Sequence, residues 1–321
     1  MSNPWQTITQ PHIDFNVRRV SESHPLSLYW GRDTQGRYLF IYDMIGLPAP
    51  EKKSLPKLAG ISFVVAIENS RVKLVLILNE IANWELFYSI CTDLIRATSI
   101  LDDHIGGGSV FLRRLVRWQE FLKRKRPEIL SPEEIKGLIG ELLFLQEKLV
   151  TAFGWDEAVA SWKGPEGAPQ DFSIQEMAIE VKCQSGGSTP TVRITSAEQL
   201  NPQLPEGFLV VFTISSADKE QAEAFTLNEL VDRIRRQLEI VSETTRERFE
   251  EMLFLADYAI REEYDEQKYR RIAAKCYQIS EDFPRIRLST IPAGVDRVSY
   301  SLKLEQCKPF ETSPTWWEET L

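Results

Sequence analysis

Histidine is scarce in this chain. His12, His24 and His104 are the only three, and all lie in the first third of 321 residues. Chemistry in the later two-thirds therefore has to run on carboxylates, lysine, cysteine or hydroxyls rather than on imidazole. Cysteine is sparse too: Cys91, Cys183, Cys276 and Cys307 are widely spaced and form no CxxC pair. That spacing gives no support to a zinc site or a disulfide framework, and reduced, packed thiols are expected. Long apolar runs are missing. Ile61–Ile67 and Val72–Leu78 are the longest, far short of the roughly 20 residues that span a bilayer, so no membrane contact is expected. No basic stretch leads into an apolar run after Met1, so no signal peptide is expected and the cytoplasm is the default compartment. An excess of positive charge is also lacking. The formal net charge is -9, which argues against a uniformly basic nucleic-acid surface but leaves room for a local one.

What is present is an ordinary globular composition, 43% hydrophobic and 26% charged, enough to bury a core without disulfides or a structural metal. The length suggests two domains, or one large domain with an extension. In the first part, Leu26–Asp33 and Arg37–Asp43 flank Thr34-Gln35-Gly36, and Ile61–Glu68 and Val72–Leu78 flank Asn69-Ser70-Arg71. Both read as β-hairpins. Helical spacing of Leu86, Phe87, Ile90, Leu94 and Ile95 predicts a helix over Trp84–Ile100. Ile105-Gly106-Gly107-Gly108-Ser109 reads as a break, with a second helix from Val110 to Lys125 ending at Pro127. The boundary falls near Pro127–Leu130, giving 1–127 as a β-rich and helical domain for recognition or docking, and 128–321 as the second.

The second domain opens on Ser131 as N-cap, Pro132 at N1 and Glu134 at N3, a capping box, with helix through Leu149 stopping before Gly154. Asp171–Ile174 and Ala178–Cys183 alternate as strands around Gln175-Glu176. Val192–Thr195 and Gly207–Ile214 follow as strands, then helices over Leu227–Ile240 and Glu243–Arg261. Arg285–Ser289 and Arg297–Leu304 read as closing strands. This helix–strand–helix order is α/β, with an α+β first part.

Two segments carry the chemistry. Glu141 is the only charge between Lys136 and Glu147, and helical spacing sets it on a face with Gly137 and Leu145. It is either a partly buried carboxylate that needs a cation or donor, or an exposed rung of an amphipathic helix. In Ile179-Glu180-Val181-Lys182-Cys183-Gln184, alternation sends Glu180, Lys182 and Gln184 to one face and the apolar residues to the other. A hairpin would bring Asp171 beside Glu180. Two like charges so close are destabilising without a cation between them, unless the face is simply solvated.

Asp171, Glu180-Val181-Lys182 and the upstream Glu141 resemble the signature of the PD-(D/E)XK nuclease superfamily, and Gln184 resembles its E-x-K-x-Q variant. The resemblance covers roughly Ser131 to Asn228 and extends more weakly over the whole chain. It is nearest to a bacterial PD-(D/E)XK-motif family encoded beside anti-phage defence genes. The proline departs from the pattern, since Gln170 separates Pro169 from Asp171.

The resemblance implies a restriction-endonuclease-like core, a mixed central sheet flanked by helices, preceded by a hairpin-plus-helix domain. It implies Mg²⁺-dependent hydrolysis of DNA, with Mn²⁺ able to substitute. Asp171, Glu180 and the Val181 carbonyl would bind the metal, Glu141 would assist, Lys182 would act on the attacking water, and Gln184 would position Lys182 or a phosphate. It further implies double-stranded DNA as partner and an ATPase or methyltransferase encoded nearby; cutting both strands often takes two centres, so a homodimer is also expected. A nuclease fold that only binds DNA or protein partners is the other reading.

Beyond the centre, Ser185-Gly186-Gly187-Ser188 is either a phosphate-approaching loop or an ordinary one. Arg193 and Ser196 are outer candidates, with Thr195–Gln199 capping a helix. Arg113, Arg114, Arg117, Lys123, Arg124 and Lys125 form a candidate phosphate-contacting run, although Trp118 and Phe121 among them also fit core packing. Lys268, Arg270, Arg271 and Lys275 form a weaker basic cluster. Trp316-Trp317 reads either as a docking patch or as a segment folded onto the core.

Overall fold

Alternating Val, Ile and aromatic residues in the first third fold as an antiparallel sheet, and the later α/β pattern folds around a separate mixed sheet. A computed structural model describes residues 3–44, 49–50, 55–68, 71–99, 104–124, 129–187, 190–218, 221 and 223–317. It divides into two units: Met1–Glu128 with Ala259–Glu262, and Ile129–Tyr258 with Glu263–Leu321. Among the described residues no helix is long and apolar enough to cross a membrane.

The first unit has strands β1 (Phe15–Arg19), β2 (Ser27–Asp33), β3 (Tyr38–Met44), β4 (Ile61–Glu68) and β5 (Arg71–Leu78), ordered β1-β2-β3-β5-β4. All neighbours run antiparallel. Both expected hairpins form, the first around Gly36 at φ 78°, where glycine has no Cβ to clash. Asn69 and Ser70 of the second turn lie outside the described residues. Strand β1 was not anticipated. Its side chains are mostly exposed, so burial left no periodic signal.

Helices α1 (Trp84–Thr98) and α2 (His104–Arg124) complete this unit. Trp5 anchors it, fully buried, stacked on Tyr38 and Phe87, with its Nε1–H donating to the Leu39 carbonyl at 2.8 Å. The glycine run corrects the sequence expectation: Gly106–Gly108 lie inside α2 rather than breaking it. A Cβ on Gly107 would meet Leu26 Cδ2 at 2.6 Å, so glycine lets α2 sit against Leu26, the residue before β2. That close packing outweighs the roughly 1 kcal/mol helix penalty per glycine.

The second unit starts with α3 (Pro132–Phe144), whose capping box forms as expected: Glu134 N–H donates to Ser131 Oγ at 3.3 Å, and Ser131 N–H to Glu134 Oε2 at 2.8 Å. The helix runs on through a π-helical turn at Leu145–Leu149 into α4 (Val150–Ser161), kinked at Gly154, φ 79°. The continuation to Ser161 was not expected. Strands β6 (Phe172–Ile174), β7 (Met177–Ser185), β9 (Glu206–Ala217) and β10 (Lys268–Gln278) make a mixed sheet in the order β10-β9-β7-β6. Only β7 and β9 are parallel. A ribbon of β8 (Thr191–Ile194) and β11 (Tyr300–Lys303) packs on one face, through a cluster including Val192, Ile194, Leu209, Val211, Tyr277 and Leu302.

Helices α5 (Leu227–Leu238) and α6 (Glu243–Leu255) follow β9. Two expectations need correction. Helix α6 stops at Leu255 rather than Arg261, because Asp257 takes φ 55° and Tyr258 N–H folds back to the Leu253 carbonyl, a left-handed helix stop. Arg285–Ser289 is not a strand. The Ile286 carbonyl accepts from Asn201 Nδ2 and its N–H donates to Tyr300 Oη, so side chains stand where a ladder would. The architecture is a mixed α/β one with a restriction-endonuclease-like core, as the sequence implies.

Candidate active site

The site grows from the inequality of two neighbouring strands. Strand β6 pairs with β7 only from Phe172↔Ile179 to Ile174↔Met177, while β7 continues to Ser185. Asp171, directly before β6, therefore lies beside Glu180. One residue further along, the Val181 N–H donates to Asp171 Oδ2 at 2.8 Å. A carboxylate thus takes the place of a ladder carbonyl at the edge where the strands part.

The other side of β7 sets the faces. Glu180, Lys182 and Gln184 align in parallel register with Leu209, Val211 and Thr213 of β9. Leu209 and Val211 belong to the ribbon-facing cluster, so Glu180 and Lys182 share that side of the sheet. The opposite side is apolar: Phe172 packs on Phe144 and Trp162. A Cβ on Gly140 would meet Cys183 Cβ at 3.0 Å, so glycine at 140 seats α3 tightly against β7 and brings in its neighbour Glu141.

Glu141 is not an exposed rung. Trp162 Nε1–H donates to its Oε2 at 2.7 Å. A Cβ built on Gly164 would lie 2.8 Å from Asp171 Oδ1 and 3.3 Å from Glu141 Oε2, so these two carboxylates flank one glycine. The Asp171 carbonyl accepts from Lys163 N–H at 2.7 Å and Gly164 N–H at 2.9 Å. Glu180 is wholly buried, with Lys182 Nζ 2.5 Å from its Oε1. The ammonium makes a close ion pair with Oε1, while Oε2 is buried without a hydrogen-bond partner. Gln184 donates from Nε2 to Thr213 Oγ1 at 3.1 Å, and its Oε1 is likewise buried without a partner.

Burial drives the electrostatics. It pushes the Glu141 carboxyl up to about 8, helped by the Asp171 charge and opposed by the Trp162 N–H and Lys182. Burial raises Asp171 against the pull of Lys182 and the Val181 N–H. It raises Glu180 well above the usual carboxylate range, and Asp171 adds to this. Burial opposes the charge on Lys182, yet Glu180 and Asp171 hold it above its ordinary value. Three carboxyls lie near one ammonium, and the crowding favours their protonated forms unless a cation joins them.

The donor set fits a divalent cation. Asp171 and Glu180 offer hard oxygens, and Glu180 Oε2 lacks the donor that a buried carboxylate oxygen otherwise requires. Among the described residues no three His, Cys, Asp or Glu side chains converge as a ready cage. An ion here would rely on two carboxylates completed by backbone oxygen and water, the habit of Mg²⁺.

The outer candidates divide. Arg193 is exposed on β8, and Ser196 starts the 3₁₀ turn Ala197–Leu200 without a side-chain cap. Gln170, next to Asp171, donates to the carbonyls of Glu198 and Gln199 in that turn. The helix that Thr195–Gln199 is expected to cap is only this turn. Gly186 N–H is spent on the Ile214 carbonyl, and Ser188 lies outside the described residues. Arg114 corrects the basic run: it is buried in the first unit, forked onto Asp93, which also accepts from Trp118 Nε1. A guanidinium committed to a core carboxylate cannot serve a phosphate.

Arg113 is exposed and Arg117 half-buried on the same helix. Lys123 and Arg124 end α2, but nothing is described of their side chains, and Lys125 lies outside the described residues. On β10, Lys268, Arg271 and Lys275 pair with Glu229, Glu147 and Glu311. Trp316 folds onto the core, against Phe144 and Phe208. Trp162, Gly164 and Thr213 are site neighbours that sequence reasoning missed. The Gly164-Pro165 turn, and a tryptophan whose buried N–H must find an acceptor, were the available signals.

A mixed sheet with Asp and Glu-x-Lys on adjoining strands, backed by a helical Glu, defines a unit of the PD-(D/E)XK class. The chain belongs to the family described as "Putative PD-(D/E)XK family member, (DUF4420)", whose model matches residues 1–305. No curated protein and no solved structure matches the chain.

Proposed function

We propose that this protein is a divalent-metal-dependent endonuclease acting on double-stranded DNA, restriction-like or defence-associated. One observation carries the reading: Glu180 is wholly buried beside Asp171, with Lys182 against its Oε1 and nothing bonded to its Oε2. A scaffold has no use for such a carboxylate, since leaving it unsatisfied costs stability.

In this reading Asp171, Glu180 and the Val181 carbonyl hold Mg²⁺, with Mn²⁺ able to replace it, and Glu141 assists. The bound ion supplies Lewis-acid stabilisation of the phosphodiester and a more acidic water. Lys182, kept charged by its neighbours, orients the attacking water and offsets charge building on the phosphate. Gln184 steadies Lys182 or a phosphate oxygen. Arg193, Ser196, Arg113 and Arg117 are proposed backbone contacts. A second copy of the chain, and an ATPase or methyltransferase encoded nearby, are the proposed partners.

The test is plasmid cleavage with Mg²⁺ against EDTA. Wild type nicks or linearises the plasmid only with the metal, and Lys182→Ala lowers the rate by about 100-fold or more. Equal rates for the two proteins would remove the reading. A second reading is a nuclease fold kept for holding DNA or protein partners, and the acidic balance of -9 favours the protein partners. It predicts metal-independent binding by wild type and Lys182→Ala alike, with no cleavage.

A further inference from the structure

The short segment between α4 and β6 does more than join them. Trp162 bridges Phe172 through the backbone, stacks on its ring at 6.4 Å and leans on Phe249 at 6.0 Å. Packed against these two rings, the indole has a set direction for its N–H. That N–H meets Glu141 Oε2, and among the described residues no other donor bonds this carboxylate. The next two residues bind Asp171 through their N–H groups, and Gly164 stands between the Asp171 and Glu141 carboxylates with no room for a Cβ.

The far end of the segment is tied down as well. Glu166 Oε1 meets Arg248 Nη2 of α6 at 2.7 Å, and Lys163 Nζ reaches Glu166 Oε2 at 3.4 Å. Two carboxylates that repel one another are thus kept at a set spacing by one turn of chain, against a wall of aromatic rings.

We infer that Trp162 is a positioning residue that acts through Glu141, and that Trp162–Glu166, with Arg248 as its tether, is a clamp setting the spacing of the Glu141 and Asp171 carboxylates for a divalent cation. This rests on the metal-site reading of the same pocket. Outer partners that orient ligands typically change metal affinity by about 10- to 100-fold when removed. An indole suits the task because it only donates: it fixes Oε2, the oxygen beside Gly164 and Asp171, and so sets where that edge of the carboxylate stands.

The experiment uses the full-length chain without DNA and Mn²⁺ as the probe, with free Mn²⁺ counted by electron paramagnetic resonance. Trp162→Phe keeps a ring in the aromatic wall and removes the N–H. It is expected to weaken Mn²⁺ binding about tenfold, while adding nothing further in a Glu141→Gln background. Trp162→His, which retains a ring N–H, is expected to recover most of that loss. With plasmid, Trp162→Phe lowers kcat and leaves KM for DNA unchanged.

Arg248→Met unties the far end outside the pocket, so it reads the clamp even if Trp162→Phe fails to fold. It weakens Mn²⁺ binding in the wild-type background and not with Glu141→Gln. Wild-type Mn²⁺ affinity in a folded Trp162→Phe, or equal losses with and without Glu141, would overturn the positioning role. Unchanged affinity in Arg248→Met would overturn the tether. If wild type itself takes up no Mn²⁺, the metal-site reading falls, and this inference with it.

Discussion

Glu141 shows how one residue links folding to chemistry. Its carboxyl is pushed from 4.5 to about 8 by burial first and by the Asp171 charge second. A carboxyl raised in the folded state contributes stability that is fully present below its unfolded pKa and lost as the pH climbs through the folded one. In EDTA, the melting temperature of wild type should therefore fall between about pH 4.5 and 8, with Asp171 and Glu180 adding in the same direction. Glu141→Gln should flatten part of that fall and melt higher than wild type at pH 8.5, by about 1 kcal/mol of stability. Parallel profiles for the two proteins would show that Glu141 is not the strained carboxyl described. Gly164 makes the complementary point. A methyl group there meets Asp171 Oδ1 at 2.8 Å and Asp171 Cα at 3.2 Å. Gly164→Ala should cost about 1–3 kcal/mol in urea unfolding and weaken Mn²⁺ binding. A neutral effect on both would mean that the segment gives way freely.

At the scale of elements, α3 is aimed by its ends and by one glycine. The capping box at Ser131 fixes where the helix begins, and Ser131→Ala should cost about 1 kcal/mol. Gly140→Val should cost more, about 1–3 kcal/mol, since Cys183 already stands 3.0 Å from a Cβ, and it should also displace Glu141. Urea titration monitored by circular dichroism ranks the two variants, and a smaller loss for Gly140→Val would contradict the close seating of α3 on β7. These elements also show what was legible beforehand. Period-two alternation placed Glu180 and Lys182 on one side because one face of β7 is a core face. The Ser-Pro-x-Glu signal marked the helix start because capping is local. Strand β10 was not legible: its buried residues Tyr269, Cys276 and Tyr277 stand among charges, and its pairing slips between Arg271 and Ala273. Nor was the helical state of Gly106–Gly108, which depends on a contact with Leu26 distant in sequence. The Trp162–Glu141 bond was hidden for the same reason, spanning 21 residues across two elements.

For the whole molecule, the family match spans residues 1–305 and so takes in both units, although the Asp, Glu and Lys candidates sit in the second alone. A cation that binds only the folded chain stabilises it by mass action, about 2.7 kcal/mol at a hundredfold excess over Kd. Mn²⁺ should therefore raise the melting temperature of wild type, while Asp171→Asn, which keeps an oxygen for the Val181 N–H, should respond weakly or not at all. Equal shifts would place the cation elsewhere. Most direct is a crystal soaked in Mn²⁺ and measured for anomalous scattering. If the metal-site reading holds, a peak lies between the Asp171 and Glu180 carboxylates, with Lys182 Nζ moved off Glu180 Oε1. No peak there at saturating Mn²⁺, with the ammonium still against Glu180, would contradict it.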